Sequence, residues 1–227
     1  ARVIADKCRE VGARLHQADF SKLVPEFDSL EGQVFSYRGR SCAISLPGEH
    51  QMKNAAVVAE LIEVLRAKGW KLDDDRVEHG LYAASWPARF EVVSDDPYFV
   101  VDGGHNPQCA EAVAEALKKY FPDMKRVMLL GFMRDKDYAS MLDIILPLAD
   151  EFVCVTPNSP RALPASELCE LISRRGKRVE GRGGGGTENL AGLIIIDHSR
   201  ALLPLRFLYR IREIGITVPV LAGIMPI

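Results

Sequence analysis

The segment Tyr98-Phe-Val-Val-Asp-Gly-Gly-His-Asn-Pro107 changes character twice. Phe99 to Val101 are aromatic and β-branched, the composition of a buried strand. Asp102 ends that run, and Gly103-Gly104 permit a tight turn with close approach of backbone to a ligand. His105 and Asn106 then stand at the mouth of the next element. From Gln108 to Phe121, apolar residues recur at Ala110, Val113, Ala114, Leu117 and Phe121, the 3.6-residue period of an amphipathic helix. Strand, polar turn and helix together put polar groups at the carboxyl end of a strand, where α/β sheets bind ligands.

Working outward, the pattern from Trp86 is β-β-α-β-α-β-α. Strands are expected at Phe90 to Val93, Tyr98 to Val101, Arg126 to Gly131 and Glu151 to Thr156. Helices are expected at Gln108 to Tyr120, Tyr138 to Leu148 and Pro164 to Arg174. The alternation implies a mostly parallel sheet with crossover helices. Ser94 to Pro97 is too short for a parallel crossover, so the first two strands should pair antiparallel.

Before Trp86 the chain offers a helix from Val3 to Leu15, then a hairpin of Gln33 to Arg38 and Ser41 to Leu46 turned at Gly39. Pro47-Gly48 breaks the pattern. A helix follows to about Lys68, with Gly69 placed as its C-cap, and a shorter helix spans Asp73 to Tyr82. A domain junction is expected at Ser85-Trp86. Past Lys177, Gly181 to Gly186 has linker composition. It lacks the Gly-Lys-Ser/Thr ending of a phosphate loop. Leu193 to Asp197 and Val218 to Ala222 are strand-like, and Leu202 to Ile214 is helix-like.

The 227 residues allow one large or two small domains, and 48% hydrophobic with 26% charged is ordinary for a globular protein. A net charge of −2 gives no basic surface for nucleic acid. The longest apolar runs are too short to span a bilayer, and charges at Arg2, Asp6, Lys7 and Arg9 interrupt any signal-like segment. The five cysteines are scattered, without a Cys-x-x-Cys pair, which favours reduced thiols and a cytoplasmic location over a disulfide framework or zinc site. The start at Ala1 suggests a fragment.

Each candidate site residue has two readings. Asp102 either binds a ribose hydroxyl or cation, or forms an Asx turn or helix cap. His105 is a general base or ligand contact, or else a turn histidine bonded to backbone. Arg89, beside Trp86-Pro87, either pairs bidentately with phosphate or is a solvated arginine at a strand start. Asn54 either reads a nucleobase edge or caps a helix. Asp135-Lys-Asp137 lies at the same ligand edge, or is a solvated cluster capping a helix. No metal-ligand cluster is evident.

The combination is more specific than its parts. Leu46-Pro-Gly-Glu-His-Gln-x-x-Asn-Ala, Trp86-Pro-Ala-Arg-Phe-Glu and Asp102-Gly-Gly-His-Asn-Pro, in this order, resemble the folylpolyglutamate synthase/dihydrofolate synthase family of the Mur ligase superfamily. Gly131-Phe-Met-Arg-Asp-Lys-Asp137 and Pro147-Leu-Ala-Asp150 extend the likeness, which covers about residues 1–178. It implies a Rossmann-like, mostly parallel α/β sheet with an antiparallel first strand over 86–178, preceded at 1–85 by the end of a central ATPase domain. It implies ATP-dependent addition of L-glutamate to a folate or pteroate carboxylate through an acyl phosphate. ATP and Mg2+ are the implied cofactors, with the metal's ligands and the phosphate loop upstream of these residues, so this chain alone should lack phosphoryl-transfer activity. No nucleic-acid or membrane partner is implied. By position, Asn54, Arg89 and Asp102 match nucleotide-contacting residues of the family, and His105 a residue near its active site.

Two departures bear on structure. Ala88 stands where the motif more usually has Gly and would be strained if that position needs φ > 0. Gly104 stands where it more usually has Ala. Residues 179–192 are expected to be a linker and 193–227 a separate tail, although the tail's last strand, Val218 to Ala222, has the alternative of completing the ligase sheet. Phe207 to Ile227, ending Gly-Ile-Met-Pro-Ile, resembles a helix and strand of methylenetetrahydrofolate reductase, too little to close a barrel or bind flavin. The alternative for the whole chain is a non-catalytic nucleotide- or partner-binding module.

Overall fold

The computed structural model describes residues 2–95, 98–157, 159–182 and 192–197. Two compact units meet between Ser85 and Trp86. The segments 202–214 and 218–222, and with them the reductase-like stretch, lie outside the described residues.

The first unit opens with α1 (Arg2–Val11), which buries no residue. A three-stranded antiparallel sheet follows, β1 (Leu23–Asp28), β2 (Gln33–Tyr37) and β3 (Arg40–Ile44), with β2 in the middle. The β2–β3 hairpin is as expected from its alternation, but β1 carries no such signal. It holds Pro25 and keeps most of its residues exposed, which an edge strand tolerates because one side of its backbone pairs with nothing. Helix α2 (Glu49–Ala67) starts directly after Pro47-Gly48 and stops before Gly69, whose φ of +92° suits a residue without Cβ. Asp73 caps α3 (Asp74–Ala83) by accepting from the Arg76 N–H at 2.9 Å. Phe35, Tyr37, Cys42, Ile44, Met52, Ala55 and Ala56 form this unit's core.

The second unit is a six-stranded mixed sheet. Its strands are β4 (Glu91–Asp95), β5 (Tyr98–Asp102), β6 (Arg126–Gly131), β7 (Glu151–Val155), β8 (Arg178–Arg182) and β9 (Gly192–Asp197). The order across the sheet is β4-β5-β9-β6-β7-β8. Helices α4 (Pro107–Tyr120), α5 (Tyr138–Ile145) and α6 (Ala165–Arg174) alternate with the strands. As the short connection requires, β4 and β5 are antiparallel, while β6, β7 and β8 are parallel.

The sheet differs from expectation at its middle and at one edge. β9 lies between β5 and β6 and runs antiparallel to both, so those two strands are not neighbours and the sheet is less parallel than the alternation implied. Residues assigned to a separate tail thus supply a central strand. Their run of Leu and three Ile fits a position with strands on both sides. β8 was hidden because Arg178-Val-Glu-Gly-Arg is charged and contains a glycine, a composition suited to an edge.

Candidate functional site

The carboxyl end of β5 and the turn Trp86 to Phe90 are locked together by two bonds, and a third closes a turn at the end of β5 itself. Gly103 N–H donates to the Ala88 carbonyl at 2.8 Å. Asp102 is buried and accepts from both sides: Oδ2 from Phe90 N–H at 2.9 Å, and Oδ1 from Gly104 N–H at 2.6 Å. The second of these is the Asx turn that local sequence allows. The first reaches across to the other segment. Burial holds the Asp102 carboxyl above its ordinary range, against the opposing pull of the two N–H groups and of the Arg89 and His105 charges.

Between those bonds sits Arg89. Its neighbours Ala88 and Phe90 have φ of +56° and +49°, a left-handed conformation that costs any residue with a Cβ about 1 kcal/mol or more. The turn survives because it is fixed at both ends. Phe90 is buried, with its ring 5.9 Å from Tyr120 and 6.3 Å from Phe121 at the end of α4. Ala88 N–H donates to Glu91 Oε2 at 2.7 Å. Arg89 itself makes no hydrogen bond or ion pair among the described residues, so its guanidinium fork is open to a ligand as far as those residues go.

His105 sits just before α4. Its Nδ1 lies 3.2 Å from the Gly103 carbonyl. A carbonyl only accepts, so Nδ1 carries the proton in that bond and Nε2 is left for another partner. Asn106, not Asp102, caps α4, accepting from Cys109 N–H at 2.9 Å with Pro107 in the first turn. The usual Ala has no room at Gly104 in this packing: its Cβ would lie 2.9 Å from Asp102 Oδ1 and 3.1 Å from Cys109 Cβ.

Asn54 belongs to the first unit, whereas Arg89, Asp102 and His105 share the second. It does not cap α2, whose N-cap is Gly48. It stands exposed in the helix, donating to Gln51 Oε1 at 3.0 Å. Sequence reading missed Gln33, which is buried and donates to the carbonyls of Leu46 and Gly48 at 2.6 and 3.0 Å, pinning the turn that launches α2. A polar residue on the buried side of the β2 alternation was the available signal. At the other strand end, Asp137 caps α5 and Asp135 pairs with Arg161, the bland reading of that cluster.

The donor set suits an anion. Arg89 and Nε2 of His105 stand at a strand's carboxyl end with no other described partner. It does not suit a metal: no group of three or more His, Cys, Asp or Glu among the described residues could hold an ion. No helix among those residues is long and apolar enough to cross a membrane.

Residues 88–185 match the family model described as Mur ligase, glutamate ligase domain. The chain is 34% identical over 172 residues to the folylpolyglutamate synthase of Lacticaseibacillus casei, covering 72% of this chain and 40% of that protein. It is 30% identical over 114 residues to the dihydrofolate synthase/folylpolyglutamate synthase of Escherichia coli, covering 50% and 27%. Among solved structures, Mycobacterium tuberculosis folylpolyglutamate synthase complexed with ADP superimposes with a TM-score of 0.68 at 29% identity, over 80% of this chain and 42% of that one. The chain thus spans about two-fifths of the length of the first of these relatives. Residues 88–185 are thus similar in sequence to the Mur ligase, glutamate ligase domain, and the chain is similar in fold to a folylpolyglutamate synthase.

Proposed function

We propose that this chain is the C-terminal portion of an ATP-dependent ligase that adds L-glutamate to a folate or pteroate carboxylate. The observation that carries the reading is the Asp102 clamp, which holds the strained Ala88–Phe90 turn and presents, beside His105, an Arg89 with no partner among the described residues. In this reading Arg89 binds the phosphates of ATP. Its planar fork matches two phosphate oxygens and its charge offsets theirs. Asp102 holds the turn that aims Arg89, and as a carboxylate it remains able to accept a nucleotide hydroxyl through its spare lone pairs. His105, oriented by the Gly103 carbonyl, offers Nε2 to the same ligand. Asn54, by its place in the motif, is a further nucleotide-contact candidate.

When bound, ATP supplies the phosphoryl group that turns the folate carboxylate into an acyl phosphate open to attack by the glutamate amine. The residues described here account for nucleotide contact and not for the whole reaction. Mg2+ finds no ligand cluster among them, so no step is assigned to it here. What supports the reading beyond geometry is the set of folylpolyglutamate synthase relatives, one of which is known in complex with ADP. A cytoplasmic site of action follows from the same reading.

A chimera joining this chain to the upstream part of the Lacticaseibacillus casei relative tests it. ATP-dependent incorporation of glutamate into folate is expected, and Arg89→Ala should abolish it while the protein stays folded. A folded chimera that binds neither nucleotide nor folate would contradict the reading.

A further inference from the structure

In the parallel pair β7–β8, Cys154 stands in register with Gly181. Residues in register on adjacent strands are about 5 Å apart and point to the same sheet face. Helix α6 packs on these two strands and carries Cys169. Its sulfur fills the space beside Gly181, where an added Cβ would meet it at 2.9 Å. Cys169 Sγ is therefore next to Cys154 by position. Cys154 is buried, whereas Cys169 is partly exposed. Burial first, and then the neighbouring sulfur, push the Cys154 thiol up, which keeps it protonated at rest.

We propose that Cys154 and Cys169 form a reversible intramolecular disulfide that ties α6 to β7, with a small disulfide of the oxidised-glutathione type as oxidant. The partly exposed cysteine, Cys169, reacts first. The Cys169 thiolate attacks one sulfur of the small disulfide, that S–S bond breaks, and one small thiolate leaves and takes up a proton. Cys154 then gives its proton to water and attacks the Cys169 sulfur of the mixed disulfide. The protein S–S bond forms and the second small thiolate departs. Two protein thiols are oxidised and one small disulfide is reduced to two thiols.

The test uses the full chain, reduced, then exposed to oxidised glutathione and digested without reductant. The expected product is a peptide pair joined through Cys154 and Cys169 that separates on adding dithiothreitol. Cys154→Ala should trap glutathione on Cys169 at roughly ten times the wild-type occupancy, since the resolving sulfur is gone. Gly181→Ala should displace the Cys169 sulfur and lower the yield of the joined pair. Equal glutathione on Cys169 with and without Cys154, a link to Cys8, Cys42 or Cys109 instead, or no joined pair would each overturn the proposal. The wild-type peptide map decides the matter even if a variant fails to fold.

Discussion

In the unit that starts at Trp86, β6 buries Met128, Leu129 and Leu130, and the inward faces of α4, α5 and α6 are buried as well. In the unit that ends at Ser85, α1 buries nothing, and Val24, Phe27, Val57 and Leu61 are all more than half exposed. Of the large hydrophobic residues exposed among the described ones, only Trp86 lies in the second unit. Both stretches are rich in apolar residues, so composition is not what separates them. The difference is the number of layers available. The second unit alternates helices with a six-stranded sheet, while the first has a three-stranded sheet with α2 and α3. Apolar content becomes a core only where another element is present to cover it.

Substitutions in the two cores should break the symmetry of that comparison. The largest effect is expected from Leu142→Ala in α5, at a side chain fully buried in the second unit. It should cost about 2–5 kcal/mol in urea unfolding. Next comes the clamp. In Asp102→Asn the amide offers one oxygen and one donor group, so either the Phe90 or the Gly104 N–H loses its acceptor, at about 1–3 kcal/mol.

The same carboxyl makes a pH prediction. Its folded value lies above the ordinary 3.8, so its contribution to stability is full below 3.8 and is lost as pH rises through the folded value. Wild-type stability should therefore carry a decline over the range just above 3.8 that Asp102→Asn lacks. An identical slope in the two proteins would show that some other group is responsible.

Ala88→Gly sharpens the comparison in the opposite direction. At φ of +56° a glycine relieves the Cβ penalty, and a gain of about 1 kcal/mol is expected in thermal unfolding. The smallest change belongs to the first unit. Leu61→Ala, 53% exposed, should alter stability by no more than about 0.5 kcal/mol, while reducing any self-association seen by sedimentation.

Much of this was legible beforehand. Strand β5, its polar end and the period of α4 were plain in the residues. So was the strain at Ala88, because the chain departs there from a motif that more usually has Gly. The position of β9 was not legible, since Leu-Ile-Ile-Ile reads as a strand but says nothing of which neighbours it pairs with, and a glycine-rich stretch precedes it. Nor was the double duty of Asp102. An Asx turn is local and can be read from Asp-Gly-Gly, whereas the bond to Phe90 N–H joins residues twelve apart and exists only once β4 and β5 pair. The Cys154–Cys169 juxtaposition is non-local in the same way.

Calorimetric titration of ADP into the wild-type chain and into Arg89→Ala tests the central claim most directly, that the Asp102 clamp presents Arg89 to nucleotide phosphate. The account predicts measurable binding in the wild type and affinity weakened about tenfold or more without the guanidinium, with the fold unchanged by circular dichroism. Equal affinity in the two proteins, or no heat from either, would contradict it.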